Sequence, residues 1–219
     1  MKKLFVSMAV LAFFSMSANA QFLLGGRVGF SSDSKKQTYE VLGKTIDTKS
    51  VERSFVLSPV VGYELSEKLE VGGMISLGSE KTYADKANDK DVWSKTFSYA
   101  ISPYAQYSFA SFGKFNLKVE ASASFGQDIP TEKDGKEKID GDKITYLSLA
   151  AYPLITYDLG ERIELEAQLN FFGFVASSEI TKDADNSDNK TVENSFGFSG
   201  NAGNIATTGL ITVGFMYRF

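Results

Sequence analysis

Cysteine is absent from the 219-residue sequence, so no disulfide staples the fold and no thiol chemistry is available. Histidine is absent as well, which removes the side chain that most often serves as general acid or base near neutral pH. Beyond the first turns of the chain there is no long unbroken apolar run, so no helix of the roughly 20 apolar residues a bilayer requires can be drawn. Nor is there an excess of positive charge. The net charge is −4, and losing Lys2 and Lys3 with an N-terminal leader would make it −6. That mild acidity argues against a nucleic-acid binder, which would carry a basic patch.

The N-terminus reads as a secretory signal. Met1-Lys2-Lys3 is a charged start, residues 4–14 form the apolar run, and Ala18-Asn19-Ala20 is a small-residue cleavage site. Residues 1–20 are therefore expected to be cleaved, leaving residues 21–219 as one domain. No cysteine follows the site to carry a lipid anchor, and one barrel would use the whole mature length.

What the mature chain does contain is a repeated unit. Tyr63-Glu64-Leu65, Tyr107-Ser108-Phe109, Tyr157-Asp158-Leu159 and Tyr217-Arg218-Phe219 each close a stretch in which every second residue is apolar or small. Pro59, Pro103 and Pro153 stand four residues before the first three tyrosines, and Val213 before the fourth. Eight alternating segments follow, near 22–31, 54–65, 69–79, 95–109, 114–127, 144–159, 162–177 and 206–219. Their connections alternate between tight turns, at 66–68, 110–113 and 160–161, and long polar segments, at 32–53, 80–94, 128–143 and 178–205. The repeating unit is an antiparallel hairpin. The expected fold is all-β: an eight-stranded antiparallel up-and-down transmembrane β-barrel with short periplasmic turns and long extracellular loops.

The phase of the alternation assigns the faces. One face carries Phe55, Leu57, Pro59, Val61 and Tyr63, then Phe97, Tyr99, Ile101 and Tyr107, then Leu147, Leu149, Ile155 and Tyr157, with no charge in any strand. Lipid demands this, because a charge at the midplane of a barrel costs roughly 2–4 kcal/mol. The mean hydropathy of −0.13 does not oppose it, since alternating strands average out. A soluble barrel would turn the same face inward and crowd four aligned tyrosines and several phenylalanines into one narrow core. Tyr63, Tyr107, Tyr157 and Tyr217 are expected to form a periplasmic aromatic girdle. On this assignment Val61→Arg should impair insertion, and the neighbouring lumen substitution Val60→Arg should be tolerated better, within the limit that crowding of the lumen sets. The three prolines each remove a ladder donor, which raises the expectation of a small bulge at each.

The opposite face is polar. It sets Arg27, Lys118 and Arg218 among Glu70, Glu120, Glu164 and Glu166. An eight-stranded barrel is only wide enough for side chains to fill, so these seven residues are expected to form a paired, structural charge network that plugs the lumen. An ion path or a catalytic carboxylate pair is the competing reading. In the 183–189 segment, alternate oxygen-bearing residues resemble the start of a calcium loop. The sixth place holds Asp188 instead of Gly, and the twelfth Asn194 instead of Glu. A solvated loop tip is the simpler reading. Residues 132–143 alternate charge signs around Asp134-Gly135 and Asp140-Gly141, which fits an exposed loop or a β-extension above the membrane.

The run from Leu57 to Leu65, followed by Lys68-Leu69-Glu70-Val71-Gly72-Gly73, resembles the small bacterial outer-membrane β-barrel family, the porin-like OmpX and OmpA-barrel group. The resemblance covers the whole mature chain and ends on Phe219. It implies residence in the outer membrane, contact with outer-membrane lipid and lipopolysaccharide, and recognition of Phe219 by the barrel assembly machinery through the C-terminal strand. It implies a monomer without a cofactor, without bound metal and without nucleic acid. Relatives carrying a peptidoglycan-binding domain have sequence beyond the barrel, so that role is not expected here. Function is read least directly, because members do different things on one scaffold. A non-enzymatic structural or surface-interaction role through the extracellular loops is expected, with a narrow porin-like channel as the alternative. A lipid-modifying enzyme stands third, since its usual His beside Ser or Asp has no counterpart in a chain without histidine.

Overall fold

A computed structural model describes residues 21–41, 44–84, 93–134, 137–170, 172–184, 189–200 and 211–219. The signal segment at 1–20 lies outside the described residues, as do 185–188 of the calcium-like segment and the start of the last alternating segment. The strands are β1 (Phe22–Val41), β2 (Lys44–Ser66), β3 (Leu69–Ala84), β4 (Trp93–Phe112), β5 (Phe115–Asp134), β6 (Glu137–Asp140), β7 (Lys143–Asp158), β8 (Ile163–Leu169), β9 (Phe172–Lys182), β10 (Lys190–Gly200) and β11 (Ile211–Arg218).

Eight of these close a ring. Neighbours pair antiparallel in the order β1, β2, β3, β4, β5, β7, β8 and β11, and β11 returns to β1 from Leu23↔Arg218 to Val28↔Val213. Closure satisfies every strand against two neighbours, which a wall surrounded by hydrocarbon requires. Tight turns join β2 to β3, β4 to β5 and β7 to β8 on one rim. Gly113 supplies the positive φ (64°) that the β4–β5 turn needs.

Within the described residues, much of the long polar segments continues as paired strand. β1 and β2 stay in register from Ser32↔Arg53 to Val41↔Lys44, and β4 and β5 as far as Trp93↔Lys133. β6 adds to β5 at Thr131↔Asp140, and β10 to β9 at Phe196↔Ala176. The physical reason is local. Thr38, Tyr39, Val41, Thr45, Ile46 and Val51 are strand formers by residue type, so the sequence favours continued pairing here. From Phe30 to Val41 the hairpin rises roughly 28 Å beyond the belt at ordinary strand rise and tilt.

The stretch expected as one strand at 162–177 is divided. Leu154 pairs Gln168, but Ala151 pairs Phe174, so three steps on β7 oppose six on the partner. The phase flips across this break: Leu165 faces out below it, whereas Phe172 faces out and Gly173 is buried above it. No bulge marks Pro59 or Pro103. The ladder lapses there, between Leu57↔Leu77 and Val60↔Met74 and between Ile101↔Phe125 and Tyr104↔Ser122, with the register unchanged. The missing proline N–H removes a rung without adding a residue. Pro153 instead lies opposite the β8–β9 break. The bulges fall just past the tyrosines, at Glu64/Ser66 and Ser108/Ala110, where the chain bends into its turns.

Candidate functional site

The outer wall is a belt of apolar side chains in open contact with the surroundings. Phe55, Leu57, Val61, Ile75, Leu77, Ile101, Leu149 and Phe215 are among its exposed large hydrophobics, and Ile75 is 52% exposed. The distance from Phe55 to Tyr63 is roughly 20 Å along the barrel normal. At the turn-side rim Tyr107 is exposed, and Tyr63, Tyr157 and Tyr217 are half-buried. There Phe115 packs on Tyr157 at 4.7 Å and Phe219 on Tyr217 at 4.9 Å between ring centroids. The Arg162 guanidinium donates to the Tyr217 hydroxyl at 3.2 Å. Phe219 closes the seam, its backbone N–H donating to the Phe22 carbonyl at 3.0 Å. A soluble protein does not surround itself with such a ring. A closed antiparallel barrel with an apolar exterior spans a membrane.

The molecule is a closed antiparallel β-barrel whose apolar wall faces a membrane. No protein-family model matches the chain, and no curated protein sequence does. Among solved structures, Neisserial surface protein A is similar at 14% identity and a TM-score of 0.38, over 92% of this chain and 99% of that one. A major outer membrane protein from Thermus thermophilus is similar at 12% identity and a TM-score of 0.41, over 91% and 99%. The translocator domain of the autotransporter NalP from Neisseria meningitidis is similar at 11% identity and a TM-score of 0.33, over 99% and 96%.

Inside this barrel the polar face converges on a two-layer charge network. In the first layer the Arg27 guanidinium forks onto Glu120, at 3.0 Å from Nη1 to Oε1 and 2.6 Å from Nη2 to Oε2. Its Nε donates to Glu166 at 2.8 Å. Two parallel bonds to one carboxylate match the planar fork of arginine. The Gln106 amide donates to both Glu120 and Glu166, at 3.0 and 3.3 Å, and so ties the pair together. In the second layer Lys118 donates to Glu164 at 2.6 Å and stands 3.8 Å from Glu70. Arg218 reaches Glu164 at 2.6 Å, Glu64 at 2.9 Å and Asp158 at 3.0 Å. All seven lumen charges named from the sequence are thus paired, in two adjacent layers. Arg27, Glu120, Glu164 and Glu166 are each at most 3% exposed.

Residues beyond those seven complete the seal. Leu23, Val60, Tyr104 and Met216 form a buried apolar cluster beside the charges. The Tyr104 hydroxyl donates to Glu70 at 2.6 Å, and its ring lies 5.7 Å from the Arg27 guanidinium. Asn116 donates to Asp158 at 3.1 Å. These donors matter because three cations face six carboxylates, counting Glu64 and Asp158. Gly72 permits the close fit of Tyr104, since a Cβ there would stand 2.6 Å from the tyrosine ring. The alternation already places Tyr104 inward, so its phase was the available signal. Its contact with Glu70 joins positions 34 residues apart and has no local signature.

The network divides the lumen. Beyond it, toward the long hairpins, is a cavity of about 580 Å³ walled by hydroxyls, including Ser58, Ser76, Ser102, Ser122, Ser124 and Ser148, with Arg27 and Glu120 at its floor. Many of these hydroxyls bond one another, as Ser58 does Ser76 at 2.8 Å and Ser102 does Ser124 at 2.7 Å. On the turn side lies a smaller cavity of about 170 Å³ bordered by Lys118, Glu164 and Arg218. Within the plug, Gln106 Oε1 and Thr156 Oγ1 have no partner among the described protein atoms.

Proposed function

We propose that this barrel does not conduct, is not an enzyme, and acts through the polar strands that it carries beyond the lipid belt, in surface contact or envelope structure. The observation that carries the proposal is the Arg27–Glu120–Glu166 cluster across the lumen, backed by the Lys118–Glu164–Arg218 layer. A solute crossing the barrel would have to break both layers and leave charges stranded in a poorly hydrated interior, at a cost of several kcal/mol. What extends outside supports the same reading. β1, β2, β4, β5 and β6 continue as paired, largely polar strand above the aromatic belt.

Catalysis finds little support in the same arrangement. Glu70, Glu120, Glu164 and Glu166 are all engaged with a cation or tyrosine, so none is poised as a free base, and histidine is lacking. The partners that fit this role are the surrounding outer-membrane lipids, the assembly machinery at the C-terminal strand, and ligands of the projecting hairpins. The narrow channel is the second reading, favoured by the hydroxyl-walled cavity that enters the lumen from one end. Planar-bilayer recordings of the purified, refolded mature chain decide between them. The expected trace is indistinguishable from lipid alone, and stable ohmic steps would put the channel first.

A further inference from the structure

The outer wall just above the aromatic belt carries a row of like charges. Arg53 on β2 is directly opposite Lys81 on β3, and Lys81 is directly opposite Lys95 on β4. All three share the outward phase of Phe55, Leu77 and Phe97. Neighbouring strands lie about 4.8 Å apart, so three positive charges sit within roughly 10 Å. Like charges directly opposite one another destabilise a sheet unless something compensates them. Among the described residues none of the three forms an ion pair with a carboxylate. Their outward neighbours Val51, Ser79, Tyr83, Trp93 and Thr131 carry no charge, and Lys133, diagonal to Lys95, adds a further cation instead of a counter-charge. The carboxylates nearby in sequence, Glu52 and Glu80, belong to the opposite phase and face the lumen mouth.

Two further observations give the row a ligand chemistry. The Lys81 ammonium lies 4.6 Å from the centroids of both the Tyr83 and the Trp93 rings, which hold it in place on the outer surface. Arg53 stands two strand residues above Phe55, about 5 Å along the normal, at the depth where headgroups begin. A fixed ammonium, a guanidinium fork and a second ammonium at headgroup depth form a receptor for phosphate oxygens.

We propose that Arg53, Lys81 and Lys95 bind the phosphates of a phosphorylated glycolipid in the outer leaflet. The site is on the exterior wall and rests on the membrane placement of the barrel, not on whether the lumen conducts. The bound phosphates supply the counter-charge that the row lacks within the protein, and they fix one lipid against β2, β3 and β4.

The test uses the refolded mature chain in phosphatidylcholine vesicles containing a minor fraction of diphosphorylated lipid A, followed by detergent extraction and quantification of the lipid A retained per barrel. The wild-type chain should retain lipid A and should not retain the dephosphorylated form with the same acyl chains. The R53Q/K81Q/K95Q chain should bind on the order of a hundredfold more weakly, from roughly fivefold per charge removed near an anionic surface. The K143Q/K182Q/K190Q chain removes an equal charge from a second outward row, Lys143↔Lys182↔Lys190, whose central lysine has no ring against it among the described residues, and should retain lipid A nearly as the wild type does. Heat-dependent gel migration verifies that each variant is folded. Equal retention by the first triple variant, equal loss in the second, or equal retention of dephosphorylated lipid overturns the proposal. Displacement of the lipid by inorganic phosphate alone also overturns it, in favour of a soluble-anion site.

Discussion

Ile75→Arg should abolish or sharply reduce insertion, while Ser76→Arg, one residue along the same strand, should still give a folded barrel. Ile75 is 52% exposed on the lipid face and level with Pro59, midway between Phe55 and Tyr63. A guanidinium there meets hydrocarbon, at roughly 2–4 kcal/mol. Ser76 instead lines the 580 Å³ lumen cavity, whose floor includes the carboxylate of Glu120. An arginine at 76 loses the 2.8 Å bond to Ser58, about 1 kcal/mol, and gains water and hydroxyl partners. The sequence-based contrast of Val61→Arg with Val60→Arg has to be redrawn. Val60 does face inward, but it is 0% exposed and packs with Leu23, Tyr104 and Met216. An arginine there would have no room, so both members of that pair should fail, for different reasons. Folding yield in vesicles, read by heat-dependent gel migration, checks the Ile75 and Ser76 variants.

Arg27→Ala is expected to lower the melting temperature of the barrel more than any other single lumen substitution. Arg27 satisfies Glu120 through two bonds and Glu166 through one, and all three side chains are buried. Removing one partner of such a cluster costs about 3–5 kcal/mol, because the remaining carboxylates are left without a counter-charge. Water from the cavity above would recover part of this. The mechanism has a signature that simple loss of packing does not share. Combining Arg27→Met with Glu120→Gln and Glu166→Gln removes the stranded charges and should restore much of the lost stability. Thermal unfolding of the single and triple variants in the same detergent separates the two causes. A triple variant less stable than Arg27→Ala would show that packing dominates.

The barrel was legible because its two strongest signals are periodic. The lipid face repeats at every second residue from Phe55 to Tyr63 and again from Phe97 to Tyr107, and a one-residue error would have put charges into lipid. The same parity places Arg27, Lys118 and Glu120 inside together. It does not say that Arg27 takes Glu120 and Glu166 while Lys118 takes Glu164, since those choices depend on strand tilt and register around the ring. Three features escaped the pattern. The phase flip between Leu169 and Phe172 hides in an apolar stretch where either parity looks acceptable. The 32–53 segment reads as a loop because its polar residues leave little alternation to detect, and in 178–205 the alternation of Val192, Phe196 and Phe198 is too short a run among polar residues to mark β10. The cross-strand row of Arg53, Lys81 and Lys95 exists only once the registers of β2, β3 and β4 are known.

The face assignment underlies the membrane placement, the plug and the lipid site alike, and it can be measured residue by residue. The chain has no cysteine, so single cysteines at Leu147, Ser148, Leu149, Ala150 and Ala151 on β7 can each carry a nitroxide spin label without further engineering. In vesicles, collision with dissolved oxygen should be high at 147, 149 and 151 and low at 148 and 150. A polar nickel chelate entering the cavity should give the opposite order. Uniform values along the strand, or nickel access at 147, 149 and 151 with oxygen excluded, would contradict the assignment of lipid and lumen faces.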